Sequence, residues 1–197
     1  MGSGIRQSLS NLLERGRHVC ETVVLRTHVR KWEKVAKQGP PTWDERNIII
    51  ARFIPEGSSV IDLGAGAQTL RTHLKPGCKY QPCDVVKSTP DVIFCDFNRG
   101  VFPELKETAD YVVCSGILEY IRNPKEFIGR VSKYARTLLL SYNPRMKGES
   151  RLDRMARHWV NHLTNQSLEK ILDDLGLKWK LINTREPNEY LYEVQET

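Results

Sequence analysis

The sequence is short of several features that would define its class. It has only five cysteines in 197 residues, with no Cys-x-x-Cys pair and no spacing typical of a zinc site. It also has no apolar run of the roughly 18 residues that a membrane-spanning helix requires, and no signal-peptide core at its N-terminus. We therefore expect a cytoplasmic protein with reduced thiols, no metal site and no membrane span.

Aromatic residues are also few, at 8% of the chain, and few of them lie near the basic residues that carry its net charge. Most of the net charge of +6 lies in residues 1–38, which hold eight Lys or Arg against three Glu. Only Trp32 and Trp43 accompany this basic stretch, which is thin support for a surface that stacks on bases. A nucleic acid is therefore a less favoured partner than a small molecule.

The basic stretch has apolar residues at helical spacing, namely Ile5, Leu9, Leu12, Leu13, Val19, Cys20 and Val23. We interpret residues 1–41 as an amphipathic helical arm, and residues 42–197 as one domain after the Gly39-Pro40-Pro41 break. The arm either packs its apolar stripe on the domain with a solvated basic face, or serves as a lid, an anion-binding patch or a docking helix.

The segment from Ser59 to Gly66 predicts a strand, a tight turn and the start of a helix. Gly64 and Gly66 allow a sharp bend and the close approach of a ligand, where a Cβ would collide. Asp62 stands at the carboxyl end of this strand, where open parallel sheets bind ligands. A strand-to-helix turn without a ligand is the alternative interpretation.

Three further strands are predicted, over Lys79–Val86, Asp91–Phe97 and Ala109–Gly116. They bring Asp84, Asp96 and Ser115 to the same edge of a parallel sheet as Asp62. Asp84 follows the glycine loop by about 20 residues, the spacing at which dinucleotide folds place a carboxylate that holds ribose hydroxyls. These side chains should surround a single cleft.

The four strand ends carry an ordered set of motifs: Val60-Ile61-Asp62-Leu63-Gly64-Ala65-Gly66, Cys83-Asp84-Val85, Cys95-Asp96-Phe97 and Ser115-Gly116-Ile117-Leu118-Glu119-Tyr120-Ile121. Together they resemble the class I S-adenosylmethionine-dependent methyltransferases, over about residues 42–197. Many members have a third glycine where this chain has Gln68. A dehydrogenase motif would need glycine at Thr69, so the methyl donor is favoured over NAD.

The resemblance implies an α/β fold: a doubly wound, mostly parallel sheet of about seven strands with an antiparallel last strand and helices on both faces, plus the N-terminal arm. It also implies S-adenosyl-L-methionine as cofactor, held by Asp62, Gly64, Ala65, Gly66, Asp84, Val85, Asp96, Phe97 and Ser115. Phe97 is either a contact of the adenine ring or an ordinary core residue.

A sulfonium donor is already activated, so a general base is needed only where the acceptor must lose a proton. We predict His162 as that base, with His158 next and Tyr142 at the end of the fifth strand as a further candidate. Each histidine could instead lie on the surface or cap a helix. Residues 145–163 predict a helix with a basic flank, which either recognises the substrate or is simply solvated.

The acceptor is predicted to be a small molecule or a saccharide, methylated at oxygen. The chain lacks the Asn-Pro-Pro-Tyr motif associated with amino methylation of bases, which makes base methylation less favoured. Two alternatives remain. Parts of the chain, such as Leu140-Ser141-Tyr142-Asn143, resemble MetW-like proteins, so it could be a cofactor-binding accessory or regulatory subunit. The basic arm leaves RNA methylation as the other.

Overall fold

The computed structural model describes residues 41–185 and 189–196, together with residues 11, 13, 14, 16, 17, 20, 32 and 33. These eight separate positions are helical. Most of the predicted N-terminal arm lies outside the described residues. Residues 186–188, between the last two strands, also lie outside the described residues.

A seven-stranded sheet organises the described chain, in the order β3-β2-β1-β4-β5-β7-β6. The strands are β1 (Ser59–Leu63), β2 (Lys79–Asp84), β3 (Ile93–Phe94), β4 (Ala109–Cys114), β5 (Ala135–Tyr142), β6 (Lys178–Arg185) and β7 (Glu189–Gln195). All pairs up to β4–β5 are parallel, whereas β7 is antiparallel to both β5 and β6. The predicted doubly wound sheet with an antiparallel last strand is confirmed.

Helices cover both faces of the sheet, as predicted. They are α1 (Pro41–Arg52), α2 (Thr69–His73), α3 (Pro124–Val131), α4 (Arg151–Ala156) and α5 (Asn165–Asp174). One buried cluster joins α1 and α2 to one face through Ile50, Ala51, Ile54 and Leu70. Another joins α3 and α5 to the other face through Phe127, Ile128, Val131, Leu168 and Leu172. Complete burial of such side chains stabilises the fold by about 1.5–3 kcal/mol each.

Local sequence explains where several helices begin. Asn123 caps α3 by accepting from the Glu126 N–H, and Pro124 occupies the first helical position. Thr164 caps α5 in the same way, by accepting from the Ser167 N–H at 3.2 Å. Helix α4 is shorter than the helix predicted over residues 145–163 at both ends. Ser150 caps its start by accepting from the Asp153 N–H, and the backbone reaches the left-handed region at His158, where φ is 67°.

Strand order reverses beside β1, which has β2 on one side and β4 on the other. The connections after these strands leave in opposite directions, and this opens a crevice at their carboxyl ends. The residues predicted to hold a ligand follow these same strand ends.

Candidate functional site

One cavity of about 390 Å³ lies at the carboxyl ends of β1, β2 and β4. All nine predicted cofactor residues line it: Asp62, Gly64, Ala65, Gly66, Asp84, Val85, Asp96, Phe97 and Ser115. Its volume lies in the range of roughly 300–1,000 Å³ that is typical of ligand sites. The fold therefore brings the four sequence motifs to one place.

The glycine loop forms one wall of this cavity. Gly64 and Ala65 donate their N–H groups to the Cys83 carbonyl at 2.8 and 3.2 Å, which holds the loop against β2. Gly64 has a φ of 79°, and a Cβ there would lie 2.6 Å from the Ile117 Cδ1. Gly66 has a φ of 51°, and a Cβ there would meet nothing within 4 Å. The space beside the Gly66 backbone is therefore free for a ligand to occupy.

Asp62 is buried, with 2% of its surface exposed. Its Oδ2 accepts a hydrogen bond from the Tyr80 hydroxyl at 2.6 Å, whereas its Oδ1 has no partner among the described residues. Burial raises the pKa of Asp62 to about 7, and the Tyr80 hydrogen bond only partly opposes that rise. A cationic amine in the cavity would satisfy Oδ1 and restore the charged carboxylate.

Asp84 connects the end of β2 to the glycine loop. Its Oδ2 accepts from the Gly66 N–H and its Oδ1 from the Val86 N–H, both at 2.9 Å. Burial raises the pKa of Asp84, and these backbone hydrogen bonds oppose the rise. Each carboxylate oxygen keeps acceptor capacity for the hydroxyl groups of a sugar.

Asp96 and Phe97 lie beyond the short strand β3. Asp96 exchanges two backbone hydrogen bonds with Val101, both at 3.0 Å, which closes the loop between them. The Phe97 ring lies 5.1 Å from Phe102 and 5.2 Å from Phe127, measured between centroids, while it also lines the cavity. Phe97 therefore packs in the core, as one prediction has it, and it also lines the cavity, where the other prediction places a contact with adenine.

Ser115 is held by side chains of α1 that sequence reasoning missed. Its Oγ accepts from Arg46 Nε at 2.7 Å and donates to Asn47 Oδ1 at 2.6 Å. Asn47 also donates to Thr69 Oγ1 at 2.7 Å, and Arg46 pairs with Glu189 Oε1 at 2.8 Å. These contacts span 22 to 143 residues, so no local pattern could have revealed them.

Aromatic residues from outside the strands also line the cavity. Trp32, Trp43 and Tyr120 all line it. The Trp32 ring centroid lies 4.6 Å from Tyr120 in an edge-to-face arrangement and 6.5 Å from Trp43. Trp32 belongs to the predicted arm, so at least this residue of the arm reaches the site. The only sequence signal was the presence of two tryptophans on either side of the Gly-Pro-Pro break.

The three predicted catalytic residues are not among the residues that line the cavity. Tyr142 is fully buried, and its hydroxyl donates to Asn161 and accepts from Arg154 Nη2 at 3.2 Å. His158 is buried at the end of α4. His162 is half-buried, and its pKa is lowered by burial and by neighbouring arginines such as Arg154. The described geometry gives none of them contact with a ligand in this cavity.

The basic segment after β5 is built around a buried arginine. Arg154 is fully buried, donates to the Asn143 carbonyl at 2.8 Å and pairs with Glu149 at 3.1 Å. Its guanidinium lies 4.6 Å from the Trp159 ring centroid. Among the described residues, none of segment 145–163 lines the cavity: Arg154 is buried within the segment, and Arg151 and Arg157 are exposed.

A family model described as "Methyltransferase domain" matches residues 44–180, which is more than half of the chain. The chain belongs to this methyltransferase family. It is a methyltransferase dependent on S-adenosylmethionine, and its cavity fits that cofactor through the unpartnered Asp62 Oδ1 and the open space at Gly66. A search of curated protein sequences gives no significant match.

Solved structures share the fold of this methyltransferase. A SAM-dependent methyltransferase from Aquifex aeolicus is 15% identical with a TM-score of 0.61, covering 83% of this chain and 98% of that one. A putative O-methyltransferase from Nostoc punctiforme is 12% identical with a TM-score of 0.68, and the match covers 84% of this chain and 60% of that one. The N-terminal domain of EvdMO1, solved in the presence of SAH and D-fucose, is 16% identical with a TM-score of 0.54. This match covers 81% of this chain and 84% of that one.

The described residues contain no group of three or more His, Cys, Asp or Glu side chains arranged to hold a metal ion. Within the same residues, no helix has both the length and the apolar character that crossing a bilayer requires.

Proposed function

We propose that this methyltransferase transfers a methyl group to an oxygen of a small-molecule or saccharide acceptor. The observation that carries the proposal is the convergence of Asp62, the glycine loop, Asp84 and Ser115 on one cavity, with Asp62 Oδ1 left free for a cationic partner. Oxygen acceptors and sugars occur among similar folds, as the putative O-methyltransferase from Nostoc and the D-fucose of EvdMO1 show for those proteins.

The residues of the cavity divide the cofactor between them in this proposal. Asp62 would hold the amine, Asp84 the ribose hydroxyls, and Asp96 with Phe97 the adenine end. The N–H groups and open space around Gly66 would accommodate the middle of the molecule. When bound, the cofactor supplies a methyl group already activated on a sulfonium.

The protein then has to align an acceptor and keep water out. Correct alignment of two reactants can account for about 7–11 kcal/mol of a barrier, so positioning is the main task of the chain. The aromatic side chains that line the cavity suit this task, because their rings exclude water from it. The general-base roles of His162, His158 and Tyr142 stay predictions, and the described contacts do not support them.

Calorimetry with S-adenosylmethionine and its demethylated product SAH tests the proposal first. We expect saturable binding by the full chain, and at least tenfold weaker binding in Asp62→Asn and Asp84→Ala. Asp174→Asn is the matched control, since Asp174 pairs with Lys170 on the exposed side of α5, outside the cavity. Undiminished binding in both cavity variants contradicts the proposal.

Methyl transfer from a labelled donor to phenols, sugars and RNA then identifies the acceptor class. Transfer to a hydroxyl of a phenol or sugar supports the proposal. Tight cofactor binding without turnover, together with a co-purifying acyltransferase, would favour the MetW-like accessory role instead. Methylation of RNA, with binding that falls steeply as salt rises, would favour the third alternative.

A further inference from the structure

Trp32, Trp43 and Tyr120 form a continuous surface that we call the aromatic roof. All three residues line the cavity, and the Trp32 ring contacts the other two, with its centroid 4.6 Å from that of Tyr120 and 6.5 Å from that of Trp43. Trp159 supports the roof from behind by donating its Nε1–H to the Tyr120 hydroxyl at 3.3 Å. The roof combines side chains from three parts of the chain: the N-terminal arm, α1 and the turn after β4.

Arg46 and Asn47, two polar side chains of α1 beside the roof, already have hydrogen-bond partners within the protein. Arg46 donates to Ser115 through Nε and to Glu189 through Nη1. The Asn47 amide uses its oxygen for Ser115 and its nitrogen for Thr69. Hydroxyl groups of a ligand would find these partners occupied, and burying polar groups without partners costs free energy. The roof therefore favours a flat apolar ring over a ring surrounded by hydroxyls.

Acid–base chemistry points the same way. The described residues that line the cavity include no histidine and no glutamate, and its three carboxylates are those of Asp62, Asp84 and Asp96. These three lie on the cofactor side in the proposed function. An alcohol of a sugar would need a base to lose its proton, whereas a phenol is acidic enough to ionise near pH 10 without one.

We propose that the aromatic roof binds a planar aromatic acceptor, which is methylated at a ring hydroxyl. The inference rests on the proposed function and narrows its acceptor class. The phenol releases its proton to water, and its oxygen forms a bond to the methyl carbon. At the same time the carbon–sulfur bond of the sulfonium breaks, and its electron pair stays on the sulfur of the demethylated product.

Two variants of the roof test this inference: Trp43→Leu and Trp32→Leu. The probes are catechol and 3,4-dihydroxybenzoate, compared with D-fucose, each titrated into the SAH-loaded full-length protein. We expect the two phenols to bind saturably, and their affinity to fall about tenfold in each roof variant, as loss of aromatic stacking predicts. Binding of SAH alone should change less than twofold.

Trp179→Leu is the matched control. Trp179 is also half-buried, but it packs on Tyr192 near the far edge of the sheet and does not line the cavity. Its variant should bind phenols and SAH like the original protein. Circular dichroism before the titrations excludes variants that fail to fold.

Each other outcome overturns the inference in a recognisable way. Saturable binding of D-fucose without binding of either phenol replaces the aromatic acceptor with a sugar. Equal loss of SAH and phenol binding in the roof variants assigns the roof to the cofactor. Full phenol affinity in both variants removes the roof from acceptor binding. Failure of the original protein to bind SAH overturns the proposed function itself, before the roof is tested.

Discussion

Asp62 influences stability and cofactor binding in opposite directions. Its pKa of about 7 exceeds the ordinary value of 3.8 because the carboxyl is buried. Between about pH 4 and 7 the folded protein keeps a proton that the unfolded chain has released, so Asp62 makes the free energy of unfolding fall as pH rises. Above pH 7 this loss is complete, and the buried charge remains.

Asp62→Asn should therefore stabilise the ligand-free protein at pH 8. The gain has an upper limit of about 4 kcal/mol, from 1.36 kcal/mol for each unit of pKa shift. Urea unfolding of both proteins at pH 5.5 and pH 8 measures it. The stability difference should be larger at pH 8; a difference that does not change with pH would show that Asp62 is not the titrating group.

Gly64 and Gly66 provide a matched pair of substitutions. Both have positive φ, which costs an alanine about 1–2 kcal/mol. Gly64→Ala should destabilise the protein further, because the new Cβ would lie 2.6 Å from the Ile117 Cδ1. Gly66→Ala meets no protein atom, so it should fold and instead weaken SAH binding at least tenfold.

Unfolding and calorimetry together check this pair. The expected pattern is a large loss of stability in Gly64→Ala, and a small one with a large loss of affinity in Gly66→Ala. Normal SAH affinity in Gly66→Ala would mean that the ligand does not approach the loop there.

Gln68 shows what a motif can and cannot reveal. The sequence identified it as the position where many members have a third glycine, and its φ of 57° explains that preference. Its side chain donates to Thr89 Oγ1 at 2.7 Å, which helps to hold this conformation. Motifs could predict nine of the residues that line the cavity, because each lies at or just after the end of a strand. They could not predict this long-range hydrogen bond.

At the scale of elements, Arg46 joins α1 to β4 and β7. It is about one-tenth exposed, donates twice to Ser115 and pairs with Glu189. Arg46→Met removes these bonds and leaves the Glu189 carboxylate without its arginine partner in a mostly buried position. We expect a loss of about 3–5 kcal/mol in the free energy of unfolding, as for other broken buried pairs.

A double-mutant cycle that combines Arg46→Met with Glu189→Gln measures the coupling energy of this ion pair. Because both substitutions break the same pair, their effects should not add, and the coupling energy should exceed 0.5 kcal/mol. The pair of Lys170 and Asp174 is the control, since both side chains are substantially exposed and their coupling should be near zero to 1 kcal/mol. Additive effects at Arg46 and Glu189 would show that the two act independently.

Elements with a clear periodic pattern were predictable, and those defined by distant contacts were not. Strands β1 and β4 are formed by apolar runs rich in β-branched residues, and the alternation of strands and helices predicts a doubly wound sheet. The helix predicted over residues 145–163 is reduced to Arg151–Ala156, between the cap at Ser150 and the left-handed backbone of His158. Arg151 and Arg157 are exposed, as the solvated alternative expects. Arg154 is instead buried by contacts with Tyr142, Asn143 and Glu149, which the spacing of the charges could not reveal.

At the scale of the whole molecule, cofactor binding and stability are linked through the same carboxylate. A ligand that binds only the folded state adds about 2.7 kcal/mol at 100 times its Kd. For a domain of this size, that corresponds to a rise in Tm of roughly 5–10 °C. We expect SAH to produce such a rise at pH 8, where Asp62 is charged and attracts the amine.

The same SAH concentration should stabilise the protein less at pH 5.5. Asp62 must then lose a proton before it can pair with the amine, so affinity falls by up to roughly tenfold for each pH unit below 7. Thermal unfolding with and without SAH at both pH values measures this difference. Asp62→Asn removes this titration, so its smaller shift should differ less between the two pH values than that of the original protein. A wild-type shift that is also independent of pH would separate the amine from Asp62 and place the positive end of the cofactor elsewhere in the cavity.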